Sequence, residues 1–364
     1  MRSRLQFRFP PLQMTYPQVP IEESVLANII VTFWEEPMNF FKTLSSAVMA
    51  ATVSLIAMSA SAQTYPDRGI TMVVPFAAGG PTDTVARLVA ESMSKDLGQQ
   101  IVVENVGGAG GTLGAGRVAA ADPDGYTILL HHIGMATSAT LYRKLAYDTL
   151  NAFEYVGLVT EVPMTILSRK DLEPTDLKGL IEYAKANKDT VTVANAGIGA
   201  ASHLCGMLFM SAIETPLVTV PYKGTGPAMT DLLGGQVDIM CDQTTNTTKQ
   251  IQGKTVKAFA VTSPNRLDVL PDVPTAVEAG LPGFEVGIWH GVYAPKGTPQ
   301  EAVDRLSKSL QVALKDPNIA ARFAELGTIP SPEADGTPAA LKAKLESEIA
   351  RWKPVIESAG QYAD

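Results

Sequence analysis

Clusters of basic residues, metal-ligand spacings and long apolar runs are what this sequence lacks. Its 29 lysines and arginines are scattered and outnumbered by 37 acidic residues, leaving a formal charge of −8. A chain with that balance is not built to hold nucleic acid or an acidic membrane surface. The two cysteines, Cys205 and Cys241, and the four histidines, His131, His132, His203 and His290, show no zinc spacing and no H-E-x-x-H. No metal or other cofactor is expected. There is no G-x-S-x-G elbow to expose a nucleophilic serine. After residue 62 no apolar run reaches the roughly 18 residues that a membrane span needs.

What is present begins with a leader. From Met38 the sequence reads MNFFKTLSSAVMAATVSLIAMSASAQ, with one lysine near the start, an apolar core from about Leu44 to Met58, and Ala60-Ser61-Ala62 as small residues before a cut. That is the pattern of a cleaved secretory signal peptide. The expected organisation is 1–37 as an extension upstream of the true start, 38–62 as the signal, and a mature periplasmic chain from Gln63. An exported chain permits a disulfide. Cys205 falls in a helix after one strand and Cys241 near the end of another, and in a parallel sheet ordered 2-1-3 those strands are neighbours. The pair reads equally as a bond or as two small buried hydrophobes.

The mature sequence alternates short apolar runs with helical spacing, which marks an α/β protein. ITMVVPF, QIVVEN, YTILLHH, EYVGLV, MTILSRK, VTVANA, LVTVPY, VDIMCDQ, KAFAVTS and FEVGIWHGVYAP read as strands. Val85, Leu88, Val89 and Met93 share one helical face, as do Leu204, Leu208 and Phe209. Helices between such strands predict parallel sheets with βαβ crossovers. A strand, a glycine-rich turn and a helix start occur twice, as ITMVV-PFAAGGPTD and VTVAN-AGIGAASH, near the start of each half. Two lobes with facing loops follow: 63–162 with 288–364 as the first, and 163–287 as the second. The terminal helices are expected to pack back on the first lobe. Two crossings between lobes make a hinge.

Each glycine-rich turn presents free backbone N–H groups and a positive helix end to an anion. PFAAGGPTD is not a nucleotide P-loop, and the only Gly-Lys-Thr, Gly253-Lys254-Thr255, has Thr248 where the first glycine belongs and precedes a strand. AGIGAASHL has Gly197 and Gly199 in dinucleotide spacing but Ser202 in the third place, and the acidic residue expected after the next strand is missing. A carboxylate needs less: two or three N–H groups at a helix start and a hydroxyl such as Thr82 or Ser202. Gly79, Gly80, Gly197 and Gly199 would let it approach the backbone closely, while Asp83 reads as a capping acid. YKGTGPAMTDLLGGQVDIMCDQ adds a third turn at Gly224 and Gly226. Asp242 either accepts a hydrogen bond from a ligand amine or hydroxyl or caps the next helix. Trp289 reads as core.

In order, YPDRGITMVVPFAAGGPTD, ENVGGAGGTLGAGRVAAADPDGYTILL, NAGIGAASHL, VPYKGTGPAMTDLLGGQVDIMCDQ and HGVYAPKGTP resemble the tripartite tricarboxylate transporter substrate-binding family, also called the Bordetella uptake gene (Bug) or TctC-like family. The resemblance covers essentially the whole mature chain. It implies a two-lobed, type II-like Venus-flytrap binding protein, α/β with a parallel or mixed sheet in each lobe. Such a protein holds a small organic carboxylate through main-chain groups and bridging waters and passes it to membrane permease subunits. It would act as a monomer and not as an enzyme. Carried over, the first-lobe loop is Phe76, Ala78, Gly79, Gly80, Thr82 and Asp83, and the second-lobe loop is Gly197, Ile198, Gly199, Ala200, Ser202 and His203. His132, Gly134 and Thr137, with Tyr222 and Asp242, complete the expected lining. HHIGMATSA and DQTTNTTKQ lie in segments that vary across the family, so the ligand's class is implied and not its identity. The alternative is an exported enzyme acting on a small carboxylate through a cleft histidine.

Overall fold

The computed structural model describes residues 65–360 with 362 and 363. The expected extension 1–37 and signal peptide 38–62 lie outside the described residues. In chain order the first elements are β1 (Ile70–Val74), α1 (Pro81–Leu97), β2 (Ile101–Asn105), α2 (Thr112–Ala119), β3 (Thr127–His132), α3 (Gly134–Leu141) and the long β4 (Phe153–Arg169). Next come α4 (Leu177–Ala186), β5 (Thr192–Asn195), α5 (Ala201–Ala212), β6 (Val218–Pro221), α6 (Thr225–Leu233), β7 (Ile239–Gln243), α7 (Thr244–Gln252) and β8 (Val256–Val261). The chain ends with β9 (Gly287–Pro295), α8 (Gln300–Leu314), α9 (Pro317–Glu325), β10 (Ile329–Pro330) and α10 (Pro338–Ala359).

The strands run β2-β1-β3-β9-β4-β7-β5-β6, with β8 and β10 also paired to β4. β1 is parallel to β2 and β3, and β5 is parallel to β6 and β7. β9 is antiparallel to β3 and β4, and β4 is antiparallel to β7 and β8. The sheets are therefore mixed, within the expected parallel or mixed architecture, because β4 and β9 run antiparallel to their neighbours. EYVGLV and MTILSRK, read as two strands, form one. β4 pairs with β9 through Pro163 and with β7 and β8 from Met164 onward. It is shared between the two lobes, and proline's missing N–H falls where the pairing partner changes.

Side-chain alternation fills both faces of the first lobe. Met72, Val74, Ile128 and Leu130 point to one side, where Val85, Val89 and Met93 of α1 pack with Leu306 and Leu310 of α8. Val73 and Leu129 point to the other, with Trp289, Leu341 and Leu345, so the terminal helix α10 closes that face against β4 and α3. Trp289 is core. In the second lobe Ala228, Met229 and Leu232 of α6 cover Leu167, Ala194 and Met240. On its opposite face Cys205 of α5 and Cys241 of β7 are joined as a disulfide, with Cα atoms 5.9 Å apart.

Candidate functional site

β1, β5, β6 and β7 each lead into a helix, and the N-termini of α1, α5, α6 and α7 meet around one small, partly open cavity. It measures about 10 Å³, room for about one water, and separates Gly80, Pro81 and Thr82 of the first lobe from Ala201, Ser202 and Thr225 of the second. Phe76, His132, Ala196, Asp242 and Gln243 complete its wall, and no lysine or arginine is among the lining residues. The N-caps of the four helices are Gly80, Ala200, Gly224 and Gln243, none bonding its helix through a side chain. First-turn N–H groups have no partner inside a helix, so these four ends bring bare amides and partial positive charge to one point. Positive potential here comes from backbone.

Asp242 is fully buried, and loss of solvation pushes its carboxyl up to about 7, opposed by a hydrogen bond from Asn246 Nδ2 at 2.6 Å. It therefore bonds into the first turn of α7 and lines the cavity as well. Gln243 Oε1, beside it, is buried without a hydrogen-bond partner, and the buried Thr225 hydroxyl also acts to lower the Asp242 carboxyl. Burial holds His131 and His290 down to about 3 and His132 well below the usual imidazole value. His131 Nδ1 accepts from the His132 amide at 2.8 Å and His132 Nδ1 from the Gly134 amide at 2.9 Å. The Phe76 ring stacks on His132 with centroids 4.6 Å apart, and Thr82 Oγ1 lies 3.4 Å from His290 Nε2. Burial favours the neutral form of all three, and of them His132 lines the cavity while His131 and His290 pack behind it. Among the described residues no cluster of three or more His, Cys, Asp or Glu is placed to hold a metal ion.

Of the residues expected from sequence, Phe76, Gly80, Thr82, His132, Ser202 and Asp242 line the cavity. Ser202 Oγ also accepts from the Ala196 amide at 2.8 Å. Ala78, Gly79 and Ile198 are exposed. The Asp83 carboxylate faces back to the Gly79 amide at 3.0 Å, Arg87 at 2.9 Å and Asn105 at 3.0 Å. Gly197 donates to Asn195 Oδ1 at 2.9 Å, Ala200 to the Gly197 carbonyl at 3.1 Å, and Gly199 to His203 Nδ1 at 3.4 Å. Gly134 serves His132, and Thr137 Oγ1 donates to the Gly199 carbonyl at 2.8 Å. The Tyr222 hydroxyl is committed to Asp231 at 2.7 Å and does not line the cavity. Sequence reasoning missed Thr225 and Gln243, although Thr225 follows Gly224 in the third turn and Gln243 adjoins Asp242.

Other glycines bring the backbones of the two lobes together. A Cβ at Gly79 would meet nothing, and one at Gly80 only ordinary contacts from 3.6 Å. A Cβ at Gly110 would lie 1.8 Å from the Ile198 carbonyl oxygen, at Gly107 2.7 Å from that of Lys223, and at Gly226 2.8 Å from that of Ala78. The Ala77 amide donates to the Lys223 carbonyl at 2.9 Å across the same seam. Glycine at 107, 110 and 226 lets backbone of one lobe reach backbone of the other. The lobes are shut on each other.

A family profile described as "Tripartite tricarboxylate transporter family receptor" matches residues 85–361. A protein from the ttuE-ttuC' intergenic region of Agrobacterium vitis is 56% identical over 311 residues, 85% of this chain and 90% of that one. BugT of Bordetella pertussis is 34% identical, with 89% of this chain and 99% of BugT aligned. Among solved structures, the periplasmic binding protein BugD superposes with TM-score 0.81 at 55% identity, covering 82% of this chain and all (100%) of BugD. MatC of Rhodopseudomonas palustris, solved with bound malate, gives 0.77 at 44% identity, with 80% of this chain and 100% of MatC covered. Another R. palustris protein, solved with adipate, gives 0.77 at 34%, covering 81% and 98%.

Proposed function

The chain belongs to the tripartite tricarboxylate transporter receptor family, and from that premise we propose that it captures a small organic carboxylate between its lobes in the periplasm and delivers it to a membrane permease. The family and its structural neighbours are binding proteins and not enzymes, which sets aside the reading of a catalytic histidine. One observation supports the ligand class: four helix N-termini without side-chain caps meet at a cavity that no cationic side chain lines. A carboxylate accepting such N–H groups gains about 1.5–3 kcal/mol per charge-assisted bond, with up to ~2 kcal/mol more from a partly buried helix end. The Thr82, Ser202 and Thr225 hydroxyls complete its shell, and Asp242 takes a ligand hydroxyl or ammonium group.

Admission requires the lobes to part, and holding malate or adipate requires them to close less tightly than here, where the cavity has room for about one water. The hinge is proposed where β4 exchanges β9 for β7 and β8, at Pro163 and its partner Gly287. Export by residues 38–62 places the cleft on the side of the membrane where a receptor meets its solute. Mass spectrometry of ligand retained on purified protein, followed by calorimetry with malate and adipate, tests the reading. A retained or titratable carboxylate supports it. Failure of every mono- and dicarboxylate to bind, with the lobes folded, would overturn it.

A further inference from the structure

We propose that Tyr142 and Thr137 form a latch that holds the lobes shut, a positioning role that rests on the receptor reading of the cleft. Both lie on or just after α3 of the first lobe. Tyr142 donates its hydroxyl to the Ile198 carbonyl at 2.8 Å, and Thr137 donates its own to the Gly199 carbonyl at 2.8 Å. The two acceptors are consecutive carbonyls of the second-lobe turn that opens α5. A Cβ on Gly199 would lie 3.3 Å from Leu141 Cδ1 and 3.4 Å from Tyr142 Cε2, so the turn nests on the C-terminal end of α3. Its peptides are thereby fixed from outside, with the Ile198 and Gly199 carbonyls bonded to the latch while Ala201 and Ser202 of the α5 first turn line the cavity.

The latch is held in its own right. Tyr142 leaves α3 in extended conformation, with φ −99° and ψ 114°. The Ala363 amide donates to the Leu141 carbonyl at 2.8 Å, the Arg143 amide donates to the Ala363 carbonyl at 3.1 Å, and the Arg143 guanidinium sits 4.7 Å over the Tyr362 ring. The end of the chain thus clamps the residues on both sides of Tyr142 and aims its hydroxyl across the seam. Neither latch side chain lines the cavity. Their bonds form only when the lobes meet, so they bias the open–closed equilibrium without touching ligand.

The test compares the unsubstituted protein with a Tyr142→Phe, Thr137→Val variant, each carrying spin labels at Asp122→Cys and Lys188→Cys, one exposed site per lobe. Interlobe distances are measured without ligand, so the result does not depend on the receptor reading. The closed-to-open ratio is expected to fall by roughly 2- to 12-fold per hydrogen bond lost. With malate or adipate as probe, stopped flow is expected to show faster release with an entry rate within about twofold, since latch bonds act after encounter. A ligand-free distance distribution identical in both proteins overturns the latch. Absence of malate and adipate binding to the unsubstituted protein would instead count against the receptor reading and leave the distance result in force.

Discussion

Helices α4, α9 and α10 begin with Asp176, Asp316 and Thr337, each accepting a hydrogen bond from an amide of its own first turn. Helices α1, α5, α6 and α7 begin with Gly80, Ala200, Gly224 and Gln243, and none of these side chains does so. The first group satisfies its own donors and is finished as structure. The second leaves its donors at one cavity between the lobes, where a ligand's oxygens can complete them. On the proposed reading a helix start is a stability device at one place and a binding device at the other, and what separates the two groups is whether the N-cap side chain bonds a first-turn amide.

The largest expected effect concerns how α5 is held without a cap. The Cys205–Cys241 disulfide ties that helix to β7 across a separation of 36 residues, and its loss should cost roughly 3–4 kcal/mol in the chain-entropy model. Urea unfolding with and without reductant measures it, and two free thiols in denatured, unreduced periplasmic protein would remove the bond from the account. Next, Gly110→Val places a side chain where a Cβ alone would sit 1.8 Å from the Ile198 carbonyl oxygen. The seam should fail to close and carboxylate affinity should fall on the order of 100-fold, with circular dichroism showing the lobes still folded.

Exchanging the two kinds of helix start sharpens the contrast. Gly80 has extended backbone, with φ −88° and ψ 177°, and accepts an aspartate without strain. Gly80→Asp should cap α1 and weaken adipate binding about tenfold by occupying its amides. Asp176→Ala should cost about 1 kcal/mol of stability and leave adipate binding unchanged. Calorimetry and urea midpoints on both variants would refute the contrast if the two effects came out reversed or alike.

The smallest effects are those of pH. Asp242, pushed up to about 7 by burial, ionises as pH rises through that value, so adipate should bind more weakly at pH 8 than at pH 6. Asp242→Asn should flatten the profile. On stability the same raised carboxyl acts unfavourably, its cost absent near pH 4 and fully present above about 7. His131 and His290, held down to about 3, act in the opposite sense. Their contribution is fully present above the unfolded value near 6.5 and is lost as pH falls toward 3. Unfolding midpoints between pH 4 and 8 in Asp242→Asn and unsubstituted protein separate the two.

Local signals carried the sequence reading as far as local physics reaches. PFAAGGPTD and AGIGAASH were legible because glycine before a helical period marks a βα turn, and both border the cavity. β4 was not legible as one strand because Pro163 reads as a break, and only the change of pairing partner explains its survival. Gly107, Gly110 and Gly226 answer to backbone of the opposite lobe at Lys223, Ile198 and Ala78, which are 116, 88 and 148 residues away, and no local pattern announces a contact at that range. Tyr142 lies in no quoted motif, and Gln243 closes one whose residue types do not single it out. Their roles come from what the fold sets opposite them.

The most direct measurement is a crystal structure with malate bound. A malate carboxylate is expected between the lobes with its oxygens about 2.7–3.2 Å from first-turn amides of α1 and α5, and no lysine or arginine side chain within that distance. A carboxylate held instead by a cationic side chain, or bound outside the cavity walled by Thr82, Ser202 and Asp242, would contradict it.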